Sequence, residues 1–562
     1  KGESAANGYD VNIDVLGDWK IKPLSPYLGS RWTQPLTGHA PWTMDLNIQL
    51  NDVGFTYQID TQADLRQLSS RYPYPLNRDA GTAGKARLQA SGNQQSVTAR
   101  LSLPSAKYQA EIDISKDKPV LQATNLVLGS GSFKISPVVG HQAQVRTDKL
   151  NLDEWLALLG HSSDAQTASS QQQKAEAVEI PLPERVDVNV AELTLGGIDW
   201  HDVNFDARKK NLTWYMSLDS QEAKGEASYL QPYDLSVALE RLHVYIPELE
   251  NKQKSETSLF RGQEEGASLI SDFDREFHDL MPNLTLNIDD FWLQGYKVGK
   301  LTMDLQRTGD QLEWKQLTLQ SGNNKVAIQG AWSLTDTSSH TNFNLDMQGQ
   351  NNSELMERFG ISSGIQQAPF ELSGNIDWDG APWSMRVDTL KGNIKTKLGK
   401  GMVSDVSGAA RLLGLFSLDS IIRKMQLDFS DVFDKGMAFN SISGSGEIRN
   451  GIFVTNDIKM DAVAGEMKIK GMANLNTRMV DAEVNFTPDI TSGIPVLTAF
   501  AVTPQTALYV LAITTVLSPV VEVFTQVDYE VKGPLDSPTV KELSRSKGEF
   551  KLPESLRLKS KE

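Results

Sequence analysis

From Val186 to Phe205 apolar and polar residues alternate, pass a glycine turn and alternate again, and the pattern returns 98 residues later from Leu284 to Met303. Val188, Val190, Leu195, Gly197 and Phe205 correspond to Leu286, Ile288, Leu293, Gly295 and Met303. A period of two sends successive side chains to opposite sides of a strand. The unit therefore predicts a β-hairpin used repeatedly, with neighbouring copies burying an apolar face that no single copy could bury.

The same alternation runs through Met44, Leu46, Ile48 and Leu50, and through Val97, Ala99, Leu101 and Leu103. It resumes at Leu301, Met303 and Leu305, then at Leu317 and Leu319, Val326 and Ile328, and Phe343, Leu345 and Met347. Two short helices are expected at Asp153–Leu159 and Ser353–Phe359, each ended by a glycine. Their phrases EWLALLG and ELMERFG echo each other, as APWTM at Ala40–Met44 echoes APWSM at Ala381–Met385. A third helix is expected within the charged segment 248–280, with Phe273, Phe277 and Leu280 as an apolar stripe covering an edge or an end. A fourth, amphipathic one is expected at Ala409–Met425. Residues 161–178 read as a polar linker.

These patterns divide the chain into residues 1–160, a β repeat region; 161–178, the linker; 179–350, further repeats with the helical insertion; 351–490, a second β region containing the amphipathic helix; and 491–562, an apolar helical segment, a last strand and a mobile tail from Lys541. The fold class is mainly β: an extended, twisted, repeating β-groove made of a curved antiparallel sheet with an apolar trough and a few short helices.

Composition narrows the function. Forty-two Gly and 23 Pro suit many turns. A net charge of −16 argues against a nucleic-acid partner, which needs clustered Lys and Arg. The absence of Cys removes disulfides, thiolate catalysis and Cys-ligated metals. The histidines, His39, His141, His161, His201, His243, His278 and His340, show no ligand spacing and are expected at the surface or in turns. GISSG at Gly360–Gly364 lacks the strand-then-helix setting of a nucleophile elbow, and the glycine strings at Gly129 and Gly444 lack that of a phosphate loop. Asp289 and Asp290 are expected in a solvated turn. Nothing pairs a general acid with a base, and no ladder of acids suggests a glycan-active β-helix. The chain reads as no enzyme, with no cofactor and no metal. Trp200, Trp214, Trp292, Trp314, Trp332, Trp378 and Trp383 are expected in strands, packing within the sheet or lining an apolar path.

Ile490–Val521 runs 32 residues without a charge. Pro495, Pro504 and Pro519 divide it, and its longest unbroken piece, Gln505–Ser518, reaches only about 21 Å as a helix, short of a bilayer core of about 30 Å. Its apolar residues Ile494, Val496, Leu497, Phe500, Leu508, Tyr509, Leu511, Ile513, Val516 and Leu517 are candidates either for membrane contact or for capping the sheet.

LDFSDVFDKGMAFNSISGSGEIRNG at Leu427–Gly451, with ARLLGLFSLDSIIRKM before it and NFTPDI at Asn485–Ile490 after it, resembles the C-terminal domain of AsmA-like proteins. GDQLEW and IQGAW upstream fit the same family. The resemblance implies a β-groove that moves phospholipid between inner and outer membranes across the periplasm of a Gram-negative bacterium, with its C-terminal end near the outer membrane and envelope proteins as possible partners. Such proteins usually begin with an inner-membrane helix, so this chain is expected to be a C-terminal portion of one anchored there. About 30 strands at about 4.8 Å would stack to something on the order of 140 Å. The candidate lipid-lining residues are Leu301, Met303, Leu305, Leu317, Leu319, Val326, Ile328, Phe343, Leu345 and Met347. The competing reading is a structural or assembly scaffold whose apolar face is closed by another layer.

Overall fold

In the computed structural model the described residues are 2–5, 8–21, 23, 30–52, 54–115, 119–131, 140–160, 181–245, 270–293, 295–357, 365–403, 437–462, 465–488, 520–535 and 538–551. The fold is mainly β, as the alternation predicts. The chain divides into two compact units, Lys1–Leu242 and His243–Glu562. The division falls inside the region 179–350.

In the first unit each strand from Gly8–Lys20 onward pairs with a neighbour close in sequence, and most pairs are antiparallel. Two consecutive pairs depart from this. Val120–Gly129 lies parallel to His141–Asn151, which lies parallel to Arg185–Leu195. Parallel neighbours need a crossover rather than a tight turn, and residues 130–140 and 152–184 supply the two connections. The second begins with helix α1, Leu152–Gly160. Its Trp155 packs with Val145, Leu150 and Val190 and donates from Nε1 to the Tyr74 carbonyl, 3.1 Å away. Residues 161–178, read as a linker, thus join neighbours within one sheet.

The repeated hairpin is confirmed in register. Val188 faces Phe205 and Val190 faces Val203; in the second unit Leu286 faces Met303 and Ile288 faces Leu301. Gly197 and Gly295 turn both hairpins with φ of 69° and 80°, a region glycine enters at little cost.

The second unit continues antiparallel from Asn283–Leu293 to Thr539–Lys551. Its largest core gathers Phe439, Met460, Val484, Phe486, Val527 and Val531 on one side of the closing strands. Residues 541–551, expected as mobile tail, belong to the last strand, because their partner Val520–Pro534 continues the same ladder. Helix α2 spans Asp272–Leu280 and α3 spans Asn352–Glu357. The amphipathic segment 409–425 and the GISSG string lie outside the described residues.

Three local expectations are corrected. APWTM lies within the strand Leu36–Asn51, whereas APWSM forms a turn held by the Ser384 amide donating to the Ala381 carbonyl. Trp383 is therefore a turn residue. Asp289 and Asp290 sit at a β-bulge within Asn283–Leu293, where Lys300 and Lys297 pair with them.

Candidate functional site

Antiparallel register brings the ten candidate lining residues onto one face of the second unit, in three cross-strand rows. Leu301, Leu319, Val326 and Met347 form the first, continued by Leu372. Met303, Leu317, Ile328 and Leu345 form the second, entered from Leu286. Leu305 and Phe343 lie in the third, with Trp314 and Gly330 between them and Ile376 beyond. The opposite face of the same strands carries Asn287, Thr302, Thr318, Ala327, Asp346, Ser373 and Lys395.

Burial distinguishes the rows. Met303, Leu317, Ile328 and Leu345 are half-buried, as are Leu301, Val326 and Met347. Leu305 and Leu319 are buried. The middle row is only partly covered among the described residues.

One margin of the strip is closed by aromatics. Trp314 meets Phe343 edge-on at 5.5 Å, and Phe343 meets Trp378 at 5.7 Å. Above them α2 lays Phe277 against Trp332 and Trp383, while Trp332 is fully buried. The expected stripe is only partly used: Phe273 and Leu280 are exposed, and the buried positions of α2 are Asp274 and His278. Asp274 faces inward because it completes a capping box with Ser271 and accepts from Trp383 Nε1 at 2.9 Å.

His278 is 3% exposed, its ring 5.0 Å from that of Trp332. It is a core residue, not the surface or turn residue expected. Burial pushes its pKa below the usual imidazole value, and the Arg307 charge adds to that; Asp279 and Asp310 pull the other way.

Alternation could not find Trp314. A bulge at Lys315 and Gln316 shifts the register between Trp314 and Leu317 and turns Trp314 onto the apolar side. The two polar residues between Trp314 and Leu317 are its only mark in the sequence. Ile376 and Ile394 were missed because Gly392 and Gly374 occupy the neighbouring positions of their rows, and Leu372 because its row passes on to Thr396. The first unit carries a comparable row, Ile13, Leu46, Ile59, Ala90, Ala99 and Ala110.

Among the described residues no cluster of His, Asp and Glu could hold a metal, and no helix is long and apolar enough to cross a membrane. Ile494, Val496, Leu497, Phe500, Leu508, Tyr509, Leu511, Ile513, Val516 and Leu517 all lie outside the described residues.

The chain is 26% identical over 558 residues to the intermembrane phospholipid transporter YhdP of Escherichia coli (strain K12). The match covers 97% of this chain and 42% of the relative, so the chain spans less than half the length of that protein. No solved structure matches it. The model of the YhdP protein family matches residues 2–540, and the chain belongs to that family.

Proposed function

We propose that this chain is a non-enzymatic conduit for phospholipid, part of an envelope protein working between the inner and outer membranes of a Gram-negative bacterium. The observation that carries the reading is the continuous, half-buried apolar strip centred on Met303, Leu317, Ile328 and Leu345, backed by a polar opposite face. An acyl chain lying there avoids water, where each methylene costs about 0.8 kcal/mol. Uniform aliphatic lining gives no position deep enough to trap it. The name of the Escherichia coli relative supports the same substrate class. Contact of residues 494–517 with the outer membrane, and anchoring of the full-length protein in the inner membrane, are parts of this proposal.

The test replaces Ile328 or Leu345 with Asp. A charge at hydrocarbon depth costs about 2.5–3.5 kcal/mol, so lipid copurifying with the chain, and lipid delivery in cells, are expected to fall about a hundredfold. Thr318→Asp, on the outer face, is the control and leaves both unchanged. A photo-crosslinker at Ile328 is expected to capture lipid, and one at Ala327 is not. Folded Asp variants that still carry and deliver lipid overturn the lining. No lipid on the purified chain, by native mass spectrometry, favours the scaffold instead.

A further inference from the structure

The polar face of the second unit holds a cavity of about 640 Å³ on the side away from the apolar strip, within the usual range of small-ligand sites. Three asparagines on adjacent strands, Asn344, Asn375 and Asn393, lie in register across its floor. Asn393 Nδ2 reaches Asn375 Oδ1 at only 3.4 Å, so most of their donors and acceptors face the cavity. Gly374 and Gly446 lie between these positions along their strands and add backbone to the lining. One wall exists because the register slips between Ser443 and Glu447. Asp457 holds that bulge, accepting from the Ser445 amide at 2.8 Å and its hydroxyl at 2.6 Å.

The lining carries two cations, Lys395 and Arg449, against one acid, Glu447. Glu447 is taken by Arg449 in a two-pronged pair of 2.6 and 2.5 Å. Asp457 lies outside the lining and stays ionised, its pKa held low by the Ser445 hydroxyl and amide. Lys395 points to the same face between Ser373 and Ser445, and makes no ion pair within 4.0 Å among the described residues. Asp346 is two strands away, roughly 10 Å at strand spacing. Lys459 and Lys470 on this face are joined to Glu466 and Glu483, whereas Lys397, two positions along the strand of Lys395, is like it in no ion pair within 4.0 Å among the described residues.

We propose that this cavity binds an anionic polyol, the amides taking its hydroxyl groups and Lys395 its phosphate or carboxylate. No aromatic ring lines it, so recognition rests on hydrogen bonds and charge rather than ring stacking. A lipid headgroup and an acidic glycan share this chemistry. The first unit supplies a contrast: a cavity of about 610 Å³ on its polar face, where Asp187, Asp206, Asp219, Glu226 and Glu240 outnumber Arg146 and Lys224. That surface repels an anion.

The test is calorimetric titration of the full 562-residue chain with sn-glycerol 3-phosphate, with N-acetylmuramic acid and with neutral glycerol. Saturable binding of either anion, without binding of glycerol, is expected; the tighter of the two tells headgroup from glycan. Lys395→Glu is expected to weaken it about tenfold to a hundredfold, Lys395→Gln less, and Asn375→Ala several-fold, with thermal midpoints near the parent value. Ile328→Asp leaves it intact, which separates this site from the lipid conduit. Binding of neither anion, or binding that survives Lys395→Glu, overturns the proposal.

Discussion

Gly446 lies on the apolar face where the Phe453 ring, 6% exposed, covers it. A Cβ at that position would enter the ring, and the ring is held by Trp378, Leu390 and Ile448. Gly446→Ala is therefore expected to destabilise the chain by about 1–3 kcal/mol, read as a shift of the denaturant midpoint without a change in slope. Gly330 stands in the same relation to Phe343. These pairs show where reading by residue type stops. Leu301, Met303 and Leu305 declare their face by period alone. A glycine declares nothing, and a ring lying across it belongs to a different strand. For Trp314 the sequence left packing within the sheet and lining an apolar path undivided, since its side depends on a bulge that changes parity. Lys395 and the three asparagines look like any solvated residues until pairing sets them side by side.

Elements were most legible where local chemistry decides them. The hairpins at Val186–Phe205 and Leu284–Met303 follow from alternation and a glycine turn, and so does their shared register on either side of the bulge in the second. Helix α2 was legible as a helix, but its buried side was not, because Asp274 and His278 are buried by a capping box and by Trp332 rather than by hydrophobicity. This gives the cap a pH dependence. The folded pKa of His278 lies below the unfolded value of 6.5, so the folded state resists taking up a proton that the unfolded chain accepts. Stability is full above about pH 6.5 and falls as pH drops below it. Tryptophan emission and the thermal midpoint, followed from pH 7.5 to 5, are expected to report loosening of α2 over Trp332 and Trp383. His278→Phe is expected to flatten that dependence; an unchanged slope would assign the acid sensitivity elsewhere.

At the scale of the molecule, the class of fold was legible because the period of two persists through the chain, and family membership over residues 2–540 agrees with it. Pairing direction was not. Nothing in the composition of Val120–Gly129, His141–Asn151 and Arg185–Leu195 distinguishes parallel from antiparallel neighbours, since that choice is made by the connections between them. The low-complexity run 161–178, read as a linker, falls in the chain between two strands that are neighbours in one sheet, His141–Asn151 and Arg185–Leu195. A protease that cuts there severs the covalent chain without touching the ladder from Gln142 against Arg185 to Asn151 against Thr194. The nicked protein is expected to elute from a sizing column as one species and to fall into two peptides only in denaturant. The same bond could be left out at the genetic level, and two separately expressed polypeptides would then find each other by edge complementation.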